Sequence, residues 1–124
     1  IRIYYFATPK INVDTKDNKI HKKYENFYIR YPLKILSLVK NKKIKFFYPS
    51  TIFIKKNFSN YSKMKKIGER MILKNTNIDH KICTLRIDMV NTKQNLSFFN
   101  QNLPSFTQLL NKNIEYQKKI FFID

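Results

Sequence analysis

Three short apolar runs separated by helix-length spans set the strongest limit on what this chain can fold into. They are "IRIYYFA" at 1–7, "KIKFFYP" at 43–49 and "KICTLRID" at 81–88. Runs of this length, rich in Ile, Phe and Tyr, read as strands buried on both faces. Between the first two lies "ENFYIRYPLKILSLVKN", whose Phe27, Tyr28, Tyr31, Ile35, Leu36, Leu38 and Val39 fall at helical spacing, with Pro32 marking a kink or a late start. Between the second and third lies "SNYSKMKKIGERMILKN", a helix with Ser59 or Asn60 as its N-cap. Strands alternating with helices imply parallel pairing through right-handed crossovers, the doubly wound α/β architecture. The stretch from 8 to about 24 reads as a polar connection and "MVNTKQNLSFFNQN" as irregular. "LPSFTQLLNK" reads as a short helix and "KKIFFID" as a last strand or apolar tail.

A chain of 124 residues, 43% of them apolar and 15% aromatic, has the composition of one globular domain and excludes a disordered tail. No apolar run approaches the roughly 20 residues that span a bilayer, and the start lacks a signal-peptide layout, so a cytoplasmic protein is expected. The net charge of +17 would ordinarily point to a polyanion. The excess is nearly all lysine, however, with arginine only at Arg2, Arg30, Arg70 and Arg86. The lysines are scattered along the chain, so the charge reads as a solvated surface rather than a nucleic-acid interface. Cys83, the one cysteine, sits in an apolar setting that suits a buried structural thiol. His21 and His80 have no convergent partners at ligand spacing, and no metal site is expected.

In doubly wound sheets ligands bind beyond the carboxyl ends of the strands, which places Ala7, Thr8, Ser50, Thr51, Asp88 and Met89 on one rim. Tyr61 and Lys65 are four residues apart on the following helix and share a face. A lysine ammonium close to a phenol favours phenolate and so makes proton exchange feasible near neutral pH. A hydroxyl from Thr51, or from Ser50, could hold the same substrate oxygen against Tyr61, a set suited to interconverting an alcohol and a carbonyl. Glu69, four after Lys65, reads as a helix salt bridge, and Gly68 in mid-helix reads as a point of close packing.

"FFYPSTIFI", "NYSKMKKIGERM" and "TLRIDMV", preceded by "YYFATPKI", together resemble the extended short-chain dehydrogenase/reductase superfamily, the NAD-dependent epimerase/dehydratase family, through residues 1 to about 95. The resemblance implies a single partial Rossmann-like domain over 1–124, a doubly wound parallel sheet lacking its N-terminal dinucleotide-binding half. The family's glycine-rich phosphate turn is missing, since the only glycine is Gly68. It implies Tyr61 as catalytic acid/base, Lys65 as the residue that tunes Tyr61 and binds the nicotinamide ribose, and Thr51 or Ser50 as the catalytic hydroxyl. NAD or NADP would be the cofactor, lined by Ala7, Thr8, Tyr61 and Lys65. A nucleotide-sugar-like substrate would meet Thr51, Asn91, Thr92 and Gln94. A homodimer through the helices near 26–40 and 60–74 is implied as well. The function so implied is that of a fragment or diverged member of an NAD(P)-dependent sugar-nucleotide epimerase, dehydratase or reductase. A non-catalytic remnant serving dimerisation or partner binding is the alternative reading, and a basic nucleic-acid-binding module the third.

Overall fold

The computed structural model describes residues 1–11, 17–55, 59–75, 77–88 and 102–123. Three strands, β1 (Arg2–Tyr4), β2 (Ile44–Thr51) and β3 (His80–Ile87), form a sheet in that order, and both pairings are parallel. The chain is therefore an α/β protein with an all-parallel sheet, as the alternation of apolar runs and helical spans predicts. β2 takes the centre, with β1 and β3 on either side of it.

The β1–β2 ladder extends by one residue at each end of β1, with Lys45 N donating to Ile1 O at 2.8 Å and Tyr5 N to Phe47 O at 2.9 Å. On this two-residue period the next donor toward β1 would be the N–H of Pro49, which proline lacks. Pairing stops there, and Phe6, Ala7 and Thr8 run on past the ladder.

Side chains alternate across β2 and build two cores. Ile44, Phe46 and Tyr48 pack with Tyr5, Leu36 and Ile72 on one face, under α2 (Tyr31–Leu38) and α3 (Asn60–Lys74). Phe47 packs with Leu85, Ile120 and Phe122 on the other, under α4 (Phe106–Lys112) and α5 (Ile114–Phe121). Half-buried Cys83 adjoins this second core, and burial pushes its thiol up. None of the helices among the described residues is long and apolar enough to cross a membrane.

Two segments depart from the sequence reading. The supposed polar connection contains α1 (Asn18–Glu25), started by Asp17, whose carboxylate accepts from Lys19 N at 2.8 Å. It is anchored by Ile20 and Tyr24, four apart on one face. The terminal "KKIFFID" is not a strand: most of it belongs to α5, whose Asn113 cap accepts from Tyr116 N at 3.2 Å. Tyr116 and Ile120, again four apart, face the second core, so helical spacing wins over a short apolar run.

α1 passes into α2 without a break, through a π-helical turn at Asn26–Arg30. Pro32 explains it. The Tyr31 N–H reaches back five residues to Asn26 O, so Phe27 O in the π register and Tyr28 O in the α register would both look to the absent N–H of Pro32. Two core tyrosines supply the missing donors: Tyr5 Oη donates to Phe27 O at 2.6 Å and Tyr48 Oη to Tyr28 O at 3.0 Å. The chain's single glycine, Gly68, sits where α3 crosses this point. A Cβ there would overlap the Tyr28 carbonyl and come within 2.7 Å of Tyr48 Oη.

Candidate active site at the carboxyl end of the central strand

β2 ends at Thr51, a short 3₁₀ turn follows over Ile52–Lys55, and α3 begins at a capping box. Ser59 Oγ accepts from Ser62 N at 3.1 Å while Ser59 N donates to Ser62 Oγ at 3.2 Å, fixing where the first turn of α3 starts. That first turn carries Tyr61 to the end of β2, where its phenol lies beside the Thr51 hydroxyl. Thr51 Oγ1 also accepts from Phe53 N at 3.4 Å.

Tyr61 is clamped by two tyrosines of the neighbouring helix, edge-on to Tyr28 at 5.5 Å and to Tyr24 at 6.2 Å between ring centroids. Tyr28 in turn shares a 2.6 Å hydrogen bond with Thr8 Oγ1, beyond the end of β1. Thr8, Tyr28, Tyr61 and Thr51 thus form a hydroxyl-bearing cluster over the carboxyl ends of β1 and β2. Neither Tyr28 nor Tyr24 was singled out in the sequence as a site residue. The signal was there in their spacing, four apart and four ahead of Pro32.

Lys65 does not play the part expected of it. Its side chain runs inward: Nζ donates to Pro49 O at 2.7 Å and lies 4.4 Å from the centre of the Tyr28 ring and 4.8 Å from that of Tyr48. The lost N–H of Pro49 leaves that stretch unpaired on the β1 side, and the Pro49 carbonyl takes the ammonium instead. Burial pulls the Lys65 amine down to about 7, with Glu69 opposing the fall. The two aromatic faces and the carbonyl favour its charged form. Burial also pushes the Tyr61 phenol up to about 12, with the nearby Thr51 hydroxyl pulling the other way, and Lys65 takes no part in the shift. The expected lowering of Tyr61 by Lys65 is therefore replaced by a rise due to burial.

One turn further on, Glu69 meets Arg86 of β3 through two contacts, at 2.8 and 3.4 Å. Burial by itself would raise the Glu69 carboxyl, yet the Arg86 guanidinium, the nearby Ser50 hydroxyl and the Lys65 charge hold it below the ordinary range. The pair ties α3 to β3 rather than bridging along the helix to Lys65. Ser50 Oγ is buried and lies near Glu69 without closing a well-formed hydrogen bond. Of the two hydroxyls weighed in the sequence, Thr51 is the one that meets Tyr61.

Ala7 and Thr8 are exposed at the end of β1. Asn91, Thr92 and Gln94 lie outside the described residues. A nicotinamide dinucleotide asks of such a rim a glycine-rich turn exposing backbone N–H groups to the pyrophosphate, and the resemblance to the short-chain dehydrogenase/reductase superfamily implies a lysine facing the ribose as well. The only glycine is packed inside α3 against Tyr28, and Lys65 points into the core. The described residues thus do not fit the holding of a dinucleotide. No protein-family model, curated protein or solved structure matches the chain.

Proposed function

We propose that the chain is a fragment or diverged member of the NAD(P)-dependent sugar-nucleotide epimerases, dehydratases and reductases, in which Tyr61 exchanges a proton with a substrate oxygen that Thr51 holds in place. The observation that carries this reading is the Thr51–Tyr61 hydroxyl pair at the carboxyl end of the central parallel strand. A phenol raised to about 12 is protonated at neutral pH, so Tyr61 is poised as an acid. It donates its proton to the oxygen of a carbonyl as that oxygen gains negative charge, and the Thr51 hydroxyl stabilises the same oxygen. NAD or NADP as redox partner, and the remainder of a nucleotide-sugar pocket, belong in this reading to residues other than those described.

A homodimer through α2 and α3 goes with the proposal. Tyr31 and Leu38 on α2, and Ile67 and Met71 on α3, are apolar side chains 45%, 76%, 41% and 43% exposed. The inward turn of Lys65 favours the second reading, a non-catalytic remnant that keeps the fold for association. Amide chemical-shift titration of the chain, joined in cis or in trans to a glycine-rich dinucleotide-binding half, with a uridine diphosphate sugar and then with reduced nicotinamide dinucleotide, separates the two. Perturbations gathered at Thr8, Thr51 and Tyr61 are expected. A titration that moves none of these favours the remnant.

A further inference from the structure

The opposite end of the sheet carries a feature that the Thr51–Tyr61 site does not use. Arg2, Lys45 and Lys81 are register partners across β1, β2 and β3, so their side chains stand in a row on one face of the sheet, about 4.8 Å from strand to strand. Like charges directly opposite one another on neighbouring strands oppose pairing. Even so, none of the three makes an ion pair among the described residues. They converge with Lys43 on an open groove of about 680 Å³ at the amino ends of the strands, where Ile78 adds an apolar wall and Asp79 the sole carboxylate. Lys45 Nζ is set toward the Phe122 ring, 6.0 Å from its centre.

We infer that this groove binds a compact oligophosphate, a triphosphate-like group whose clustered negative charges lie against the Arg2–Lys45–Lys81 row. Three cations within about 10 Å match the charge density of linked phosphates, and lysine ammonium groups serve phosphate as point charges without fixed geometry. A single-stranded nucleic acid is disfavoured because no aromatic side chain lines the groove to stack a base. The groove is distinct from the rim that holds Thr51, so the inference stands apart from the proposed oxidoreductase reading.

The test is a calorimetric titration of the full chain with tripolyphosphate, with adenosine triphosphate and orthophosphate as parallel arms. One-to-one binding of tripolyphosphate, well above that of orthophosphate, is expected. Adenosine triphosphate binding at least as tightly would make the source a nucleotide, and weaker binding would make it free oligophosphate. The triple variant Arg2→Gln, Lys45→Gln, Lys81→Gln should weaken tripolyphosphate by at least about tenfold, whereas Lys22→Gln, Lys34→Gln, Lys74→Gln, with the same loss of charge on exposed lysines, should change it less than about threefold. Equal weakening by the two triples would overturn the inference, since the chain's general positive charge would then be the cause. Should the first triple fail to fold, amide shifts of the parent decide: changes confined to 1–3, 43–45 and 79–81 support the groove, and changes spread over the surface overturn it. Displacement of tripolyphosphate by a far tighter-binding oligonucleotide would assign the groove to a nucleic-acid backbone and also overturn it.

Discussion

Replacing Gly68 by alanine tests how the two helices over the sheet are held together. In an exposed helix this substitution would stabilise by about 1 kcal/mol, since alanine is the better helix former. Here the new methyl would overlap Tyr28 O and sit 2.7 Å from Tyr48 Oη, so α3 must move away from the π turn or the Tyr48–Tyr28 hydrogen bond must break. Overpacking of this kind costs about 1 to 3 kcal/mol, and leaving the buried carbonyl without its donor about 1 to 3 more. Partial relaxation shares these losses, and with the propensity gain set against them the net loss should be about 2 to 3 kcal/mol. The chain has eight tyrosines and no tryptophan, so urea unfolding followed by tyrosine fluorescence and circular dichroism reports on this region. The midpoint should fall by about 1 to 2 M urea at unchanged slope. Repeating Gly68→Ala in a Tyr48→Phe background should give a smaller loss, because one of the two clashing oxygens is gone. A Gly68→Ala protein as stable as the parent, or more so, would refute the close approach of α3 to Tyr28.

Further outcomes concern charge and association. With its amine lowered to about 7 in the fold against 10.5 ordinarily, Lys65 binds fewer protons folded than unfolded, so its contribution to stability should grow as pH rises from 7 toward about 9. Lys65→Met should flatten that rise, and parallel pH profiles for the two proteins would refute it. Glu69, held below its ordinary 4.5 by Arg86, contributes stability that is present above pH 4.5 and lost as pH falls through its folded value. Glu69→Gln should flatten the acid side of the urea-midpoint profile, and an acid side parallel to the parent's would refute it. Sedimentation velocity should show a dimer that Ile67→Lys with Met71→Lys converts to a monomer, and an unchanged species would remove α3 from the interface.

The parallel α/β arrangement was legible because strand and helix lengths alternate so plainly, and the bounds of β2, α3 and β3 follow their apolar runs closely. α1 was missed because two apolar residues in eight, Ile20 and Tyr24, give too weak a stripe without the tertiary partner that Tyr61 supplies. The last helix was misread because "IFF" suits a strand until its Asn113 cap and the Tyr116–Ile120 face are counted. Within the site, the nearness of Thr51 to Tyr61 was readable from a strand end and a following helix. The inward turn of Lys65 was not, because it depends on a carbonyl beside Pro49 and on two tyrosine faces brought in from elsewhere in the chain.

The assignment of Tyr61 as the proton donor is tested most directly by turnover of Tyr61→Phe. The chain is joined in cis or in trans to a glycine-rich dinucleotide-binding half and supplied with nucleotide sugar and NAD or NADP. Phenylalanine keeps the edge-on packing against Tyr24 and Tyr28 and removes only the hydroxyl beside Thr51. The rate should fall by about 10² to 10⁴ while substrate binding stays within a factor of about two. Turnover of Tyr61→Phe at the parent rate would contradict the account, leaving Tyr61 a packing residue of the helix pair.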